Sequence, residues 1–378
     1  MPRFFVALSG IIFAVTLLTV QVALFTGFAN STALPISQSP ADIWVTAPEM
    51  LYFEGTLPLV YGDVAKVRAV PGVARAEALS LGIARWRSRH DLLALGRVLG
   101  FDPNGTLFNP GNVDRSTLLQ LRRPYAVAID ATQLRLLDLQ HPGQSGVIGT
   151  LPAHLAYVTH GTQPIVSATF FYTSLETANA YTPSALSFFS PPGAAPPPLE
   201  ESDPIMYVLV KAANPAAAAQ LAAAIEQRVP HVRALTRDQM IRTTRDYWIK
   251  RTGIGFVLTL IALMGAFVGV AVVGQILYTS INEHFPEYGT LKAIGVNDSY
   301  LYGAIAMQAT TMACIGYLPS LALTFGIRAI AADRGVDILI TPAGAVLVFV
   351  LALSICIGAG IFAMQRVTRA DPALVFRA

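Results

Sequence analysis

Charge is scarce in this sequence. Of its 378 residues, 13% are Asp, Glu, Lys or Arg and 53% are hydrophobic, whereas a soluble domain typically has about 25% charged residues. This composition is typical of a membrane protein and argues against a wholly soluble one. The formal net charge is only +3, and we expect no nucleic-acid partner.

Charge is absent altogether from four long runs. Each run exceeds the roughly 20 residues that an α-helix needs to cross a hydrocarbon core. The first run is too long for the roughly 7–15 apolar residues of a cleaved signal peptide, so we interpret it as a retained anchor helix. The uncharged runs are residues 4–29, 253–281, 300–327 and 338–364.

Cysteine and lysine are both rare. Cys314 and Cys356 fall inside apolar runs, so we expect no disulfide in the rest of the chain and interpret both as small buried hydrophobes. A P-loop needs a lysine that follows a glycine, and no lysine here does. The sequence therefore predicts no P-loop in this chain. The lysines are Lys66, Lys211, Lys250 and Lys292.

Motifs for catalysis or metal binding are also missing. His141, His154 and His160 lie near Asp138, but no HExxH, CxxC or i, i+4 histidine pair supports a metal site. The segment "GQSG" at 143–146 lacks the spacing of a nucleophile elbow. The sequence therefore predicts no catalytic, metal or cofactor site, and a non-catalytic protein.

A soluble domain is predicted between the first two apolar runs, and it contains an internal repeat. Its first part, 31–90, holds "DIWVTAP", a helical stretch and a strand that follows "VPGV"; its last part, 204–235, holds "PIMYVLVKA", an alanine-rich helix and a strand that follows "VPHV". Each part reads as a β-α-β unit. Asn214 is a good N-cap and Pro215 suits the first helical position.

Residues 91–203 separate the two units and have a different sequence pattern. Strand-like pieces such as "YAVAI" and "IVSATFFYTS" alternate with Gly, Pro and Asn turns, which predicts a mostly β insertion. The segment "SPPGAAPPP" at 190–198 favours an extended polyproline-type conformation. We interpret that segment as a hinge or spacer.

A stalk and the second span are predicted at 236–281. Thr236 and Gln239 form a capping box, and no residue from 237 to 278 would decisively stop a helix. A continuous helix of that length would be about 63 Å long. Gly253 and Gly255 are the positions at which it could kink.

The same segment contains aromatic residues typical of a membrane boundary and a glycine pattern typical of helix packing. Tyr247 and Trp248 fall where amphipathic aromatic residues meet the bilayer surface. Gly265 and Gly269 form a GxxxG pair, a pattern that allows close helix packing but is also frequent by chance in such spans.

The loop at 282–299 is polar and reads as a short helix with clear ends. Pro286 suits its first turn, Glu287 complements the positive end of the macrodipole, and Gly295 can take the left-handed C′ position after Ile294. Such a helix could lie on lipid headgroups or dock on a soluble partner.

Docking on a partner is the better interpretation, because headgroup binding usually needs several basic residues and this helix has only Lys292. An apolar edge at a spacing of about three residues supports it. The candidate docking residues are Glu283, Phe285, Pro286, Glu287, Tyr288, Leu291, Lys292, Ile294 and Gly295.

The whole chain therefore reads as an α-helical membrane protein with four transmembrane helices and a large α+β extracytoplasmic domain between the first and second spans. Four crossings place both termini on the same side of the membrane. The Lys and Arg content of the loops does not settle which side is cytoplasmic. The remaining segments are the first span at 1–30, the third at 300–328, a short loop at 329–337, the fourth span at 338–365 and a tail at 366–378.

Four stretches resemble the FtsX/MacB superfamily of ABC transporter permeases, and within it the DevC-type branch. "GFVLTLIALMGAFVGVAVVGQILYTSINEHFPEYGTLKAIGVNDSYL" is similar to the family's second span and following loop, and "RADPALVFRA" to its tail. "ALSGIIFAVTLL" and "NPAAAAQLAAAIEQRVPHVRALTRDQM" are similar to the first span and to the end of the outer domain. The likeness is weakest at 91–203.

The resemblance implies a type VII, mechanotransmission permease of the cell inner membrane that acts as a homodimer. Its termini would be cytoplasmic, its large domain periplasmic and porter-like, and the 282–299 helix would dock on a separate ABC ATPase. It would drive efflux of a lipid or hydrophobic compound with a periplasmic adaptor protein and an outer-membrane channel. The alternative is a non-transporting signalling permease that activates a periplasmic hydrolase or a sensor.

Overall fold

The structure, a computed structural model, describes residues 2–182, 195–283, 287, 290, 291, 294–332 and 339–368. The helices are α1 (Pro2–Ser31), α2 (Leu34–Ser37), α3 (Asp63–Arg68), α4 (Arg115–Leu118), α5 (Leu175–Tyr181), α6 (Ala218–Arg228), α7 (Arg237–Asp246), α8 (Ile254–Glu283), α9 (Asp298–Ala332) and α10 (Pro342–Thr368). The strands are β1 (Ile43–Thr46), β2 (Leu59–Val60), β3 (Val73–Arg87), β4 (Leu93–Phe101), β5 (Ala126–Asp130), β6 (Ser145–Ile148), β7 (Leu151–Thr159), β8 (Thr169–Ser174), β9 (Pro204–Ile205), β10 (Tyr207–Ala212) and β11 (Arg233–Thr236).

The chain divides into two compact units. The sheet unit is Ala29–Thr252, and the helical unit is Met1–Phe28 together with Gly253–Ala378. The sheet unit contains all the strands named above, in a nine-stranded sheet of order β11-β1-β10-β3-β4-β8-β5-β7-β6 and a small β2-β9 pair.

The two predicted β-α-β units are present and interleave in this sheet. Strands β1 and β3 flank α3, and β10 and β11 flank α6, as the sequence repeat indicates. Strand β10 lies between β1 and β3, and β1 lies between β10 and β11, with antiparallel pairing throughout. Each unit is therefore a split β-α-β whose gap is filled by a strand of the other.

Helices α3 and α6 cover one face of these four strands. Val64 and Val67 of α3 and Leu221 and Ile225 of α6 are buried in one apolar cluster with the β-branched residues of β1 and β10. Asn214 accepts a hydrogen bond from the backbone N–H of Ala216, which confirms it as an N-cap. The first turn after it is a 3₁₀ turn, Pro215–Ala217, and α6 follows.

The predicted β insertion continues the same sheet. Trp86 and Arg87 at the end of β3 pair with Ile148 and Val147 of β6, so the strands β3-β4-β8-β5-β7-β6 close into a ring. Trp86 is fully buried in the ring, and its indole N–H donates to the carbonyl of Leu137 at 3.0 Å. Closure leaves these strands without free edges. Of the proline-rich segment at 190–198, residues 190–194 lie outside the described residues.

The predicted continuous stalk helix is wrong at one point. The capping box of Thr236 and Gln239 is confirmed, and α7 runs from it into a π-helical turn, Tyr247–Arg251. Gly253 then adopts a φ of +74°, and a new helix, α8, begins at Ile254. A left-handed residue cannot continue an α-helix, so one of the two predicted kink positions ends the stalk helix.

Among the described residues, three helices are long and apolar enough to cross a membrane: Leu8–Ser31, Ile254–Ile276 and Ser299–Ala331. The fourth apolar run also forms a helix, α10, whose described apolar stretch is the shorter Pro342–Gly358. Side chains from α1, α8, α9 and α10 share one buried cluster, in which Cys356 is buried. Cys314 is exposed, so the expectation of burial is wrong for that residue.

Candidate functional site

The described part of the loop between α8 and α9 ends in a capped helical turn. Leu291 is helical, and its carbonyl accepts a hydrogen bond from the N–H of Val296 at 3.1 Å. Gly295 has a φ of +96°. This six-residue closure around a left-handed glycine is a Schellman motif, which satisfies carbonyls that the helix end leaves unpaired. The predicted C′ position of Gly295 is confirmed.

The next helix starts immediately after this cap. The N–H of Ser299 donates to the side-chain oxygen of Asn297 at 3.4 Å, and the N–H of Tyr300 donates to the carbonyl of Asn297 at 2.9 Å. Asn297 is thus the N-cap of α9. One residue, Val296, separates the two caps, so the connection between them is very short.

Two apolar side chains on this loop are solvent-accessible. Leu291 is 37% exposed and Ile294 is 75% exposed, and Glu283 and Glu287 are also exposed. These four residues and Gly295 are the candidate docking residues that the structure describes. Phe285, Pro286, Tyr288 and Lys292 lie outside the described residues, so their part in an apolar edge stays a prediction.

The two glycines of the GxxxG pair face α1, but only the first is tightly packed. A Cβ atom at Gly265 would overlap the carboxamide of Gln21, whereas one at Gly269 would lie 3.9 Å from the Cβ of Ala14. A larger residue at position 265 would therefore force the carboxamide of Gln21 to move, whereas position 269 has room for alanine. Close approach of the helix backbones at small residues is the interaction by which membrane helices commonly associate.

The stalk is tied to the end of α1 by an arginine that sequence reasoning missed. The guanidinium of Arg245 on α7 donates to the carbonyl of Ala29 at 3.1 Å and to the side-chain oxygen of Asn30. A cation at the C-terminal carbonyls of a helix also complements its macrodipole. Partial burial lowers the pKa of Arg245 from its usual value. The polar stretch around it resembles ordinary helix surface, so no sequence signal singled it out.

Aromatic residues fix the π-helical turn to the loop after β1. The ring of Tyr247 stacks on that of Tyr52 with centroids 4.2 Å apart, and Trp248 meets Tyr52 edge-on at 5.6 Å. Burial, followed by the charge of Glu54, raises the pKa of Tyr52. The sequence marked Tyr247 and Trp248 as boundary residues, and the structure adds the partner that holds them.

Two of the three histidines considered for a metal site, His141 and His154, have ordinary polar partners. His154 and Ser145 are 2.8 Å apart at Nδ1 and Oγ, and the imidazole of His141 lies 3.0 Å from the carbonyl of Pro142. Asp138 instead accepts a hydrogen bond from His90 at 2.5 Å. Within the ranges that the structure describes, no group of three or more His, Cys, Asp or Glu residues could hold a metal ion.

Both parts of the chain are similar to known protein families. A family model described as the MacB-like periplasmic core domain matches residues 4–228, more than half of the chain, and the FtsX-like permease C-terminal model matches residues 259–372. The macrolide export ATP-binding/permease protein MacB of Hyphomonas neptunium is 28% identical over 141 residues. That match covers 36% of this chain and only 22% of the relative.

Two solved structures with similarity are a periplasmic region and an extracellular domain. The periplasmic region of MacB from Actinobacillus actinomycetemcomitans aligns at 10% identity with a TM-score of 0.35, over 54% of this chain and 92% of that one. The extracellular domain of the transporter YknZ from Gram-positive bacteria aligns at 10% identity with a TM-score of 0.34, over 52% and 99%. From the two family models, the chain belongs to the FtsX/MacB superfamily of ABC transporter permeases.

Proposed function

We propose that this permease couples ATP hydrolysis by a separate cytoplasmic ATPase to movements of its periplasmic sheet unit, and that it works as a homodimer with four spans per protomer. Both termini and the α8–α9 loop would be cytoplasmic. ATP binding would draw two ATPase subunits together, and the loop would pass that motion to α8 and onward to α7. The spans themselves would not form the substrate path.

The observation that carries this proposal is the Schellman-capped loop between two candidate spans. Backbone hydrogen bonds hold the described end of the loop and the start of α9, and a connection held in this way transmits displacement better than a flexible one. Leu291 and Ile294 present apolar surface in the same segment of the chain as the exposed residues Glu283 and Glu287. That mixture is typical of the centre and rim of a protein interface.

The composition of the spans supports a mechanical role. The predicted spans contain no Asp, Glu, Lys or Arg over 253–281, 300–327 and 338–364, and ionisable residues inside a membrane usually mark an ion or substrate path. We therefore infer that substrate is taken from the periplasm or the outer leaflet. In the DevC-type branch this would be a lipid or hydrophobic compound, handed to an adaptor protein and an outer-membrane channel for efflux.

The test is co-purification of the tagged full-length protein from detergent-solubilised membranes of its own cells. The variant Leu291→Asp with Ile294→Asp places charges on the apolar surface, and we expect it to retain less than a tenth of the ATPase that wild type retains. Leu136→Asp is the matched control, because Leu136 is an equally exposed apolar residue of the sheet unit.

Each outcome has a consequence. If the control loses the ATPase as well, or the double variant keeps it, the docking role of the loop is wrong. An adaptor or outer-membrane protein among the retained partners supports export. A cell-wall hydrolase or a sensor kinase in its place supports the signalling alternative and overturns export.

A further inference from the structure

A groove of about 530 Å³ lies within the sheet unit, between the loop that follows β1 and the segment that joins α7 to the start of α8. Its size falls within the roughly 300–1,000 Å³ that is usual for ligand sites. One wall includes Met50 and Leu51 from the loop, and the other includes Tyr247, Lys250 and Arg251 from the π-helical turn. Arg233 of β11 also lines it.

The cations of the groove are only partly neutralised. Lys250 pairs with Asp246 on the same helical segment at 2.8 Å. In the part of the chain that the structure describes, neither the half-buried guanidinium of Arg233 nor the exposed one of Arg251 has a carboxylate or hydrogen-bond partner. The remaining acid of the groove, Glu49, is exposed and forms no ion pair with described residues. Two arginines are thus available to an incoming anion.

An arginine without a carboxylate partner favours a particular class of anion. The guanidinium group matches phosphate oxygens with two parallel hydrogen bonds, and it is less strongly hydrated than an ammonium group. Two such groups on the walls of one groove fit a phosphate diester better than a bulky neutral group. The unpaired charges therefore indicate an anionic ligand with a phosphate.

The groove also offers apolar surface. Leu51 is 49% exposed, and Tyr247, whose ring stacks on that of Tyr52, also lines the groove. An exposed leucine contributes nothing to the binding of an inorganic ion. The combination is suited to an amphiphile whose headgroup and first methylene groups are bound together.

The position of the groove along the chain points to the source of that amphiphile. Arg251 precedes Ile254, where the second candidate span begins, by three residues. Three residues reach at most about 11 Å, and the interfacial layer on each side of the hydrocarbon core is about 5–8 Å thick. If α8 spans the membrane as proposed above, Arg251 lies at or next to the layer of lipid headgroups.

We propose that this groove binds an anionic phospholipid, with its phosphate at Arg233 and Arg251 and the start of an acyl chain against Leu51 and Tyr247. The inference rests on the proposed membrane placement of α8. Because one wall belongs to the domain and the other to the stalk, a bound lipid would bridge the two segments whose relative movement the proposed function requires.

The experiment uses the full-length protein in an uncharged detergent, without ATP or an ATPase, and isothermal titration calorimetry. The probes are dioctanoyl phosphatidylglycerol, dioctanoyl phosphatidylcholine and inorganic phosphate. We expect saturable binding of phosphatidylglycerol and at least tenfold weaker binding by Arg233→Gln with Arg251→Gln. The matched control, Arg122→Gln with Arg228→Gln, removes two exposed arginines elsewhere in the sheet unit and should bind as wild type does.

Further variants separate the headgroup from the chain and from misfolding. Leu51→Gln should weaken binding of phosphatidylglycerol without changing that of phosphate. Arg251→Gln alone alters only an exposed residue, so it tests the site if the double variant unfolds.

The proposal is overturned if phosphatidylcholine binds as tightly as phosphatidylglycerol, if the double variant or, where that unfolds, Arg251→Gln binds like wild type, or if phosphate alone binds as tightly as the lipid. Because no ATPase is present, a negative result here leaves the co-purification test untouched.

Discussion

The hydrogen bonds of Arg245 predict a measurable loss of stability when that side chain is shortened. In Arg245→Gln the donor no longer reaches both the carbonyl of Ala29 and the side chain of Asn30. A hydrogen bond to a charged group contributes about 1.5–3 kcal/mol, and partial exposure reduces that value. We expect a total loss of about 2–3 kcal/mol.

That loss corresponds to a lower unfolding temperature. For a unit of about 150–250 residues, 1 kcal/mol shifts the midpoint by about 2–4 °C, so the expected decrease is about 4–12 °C. Thermal unfolding of the purified protein in detergent, followed by circular dichroism, measures it. Arg242→Gln is the control, because Arg242 is exposed on the same helix and no described residue pairs with it. Equal midpoints for the two variants would refute the anchoring role of Arg245.

Two other predictions concern helix packing and pH. Gly265→Ala displaces the carboxamide of Gln21, which is the movable end of a flexible side chain, so we expect a small destabilisation of the helical unit of about 1 kcal/mol. Gly303→Ala, which meets no atom within 4 Å, should be neutral or stabilising in thermal unfolding. The reverse order would contradict close α1–α8 packing. The hydrogen bond from His90, and a second from Ser88, lower the pKa of Asp138. The Asp138 carboxylate therefore stabilises the folded state fully above the unfolded pKa of about 3.9. This stabilisation is lost as the pH falls through the lower pKa of the folded state. The difference in thermal-unfolding midpoint between wild type and Asp138→Asn should accordingly be constant from about pH 7 to pH 5 and shrink below about pH 4. A difference that grows as the pH falls would show that the carboxylate does not stabilise the folded state.

Local elements of the fold were predictable where a single residue decides the backbone conformation. Asn214, the Thr236–Gln239 pair and Gly295 all take the cap positions that the sequence indicates. Caps depend on hydrogen bonds within three or four residues, so neighbouring sequence contains most of the information. The repeated β-α-β pattern was visible for the same reason, since alternation and helical periodicity are local signals.

Longer-range arrangements were not predictable in this way. The two β-α-β units interleave because β1 pairs with β10, which lies more than 150 residues later in the chain. The ring closes through only two described residue pairs, between β3 and β6. The continuous stalk prediction was wrong because helix propensity does not reveal the left-handed conformation that Gly253 adopts. In the candidate docking loop, the sequence indicated the cap, but the exposure of Ile294 required the three-dimensional structure.

The sequence by itself determined that this is a membrane protein of the FtsX/MacB type, because uncharged runs of this length and the family's motifs need no tertiary information to be recognised. It also determined where helices are capped. The tertiary structure alone decided that Arg245 binds the end of α1, that Gly265 lies closer to Gln21 than Gly269 does to Ala14, and that Arg233 and Arg251 line one groove. Such contacts join residues that are far apart in the chain, and their energies depend on distances that no local pattern specifies.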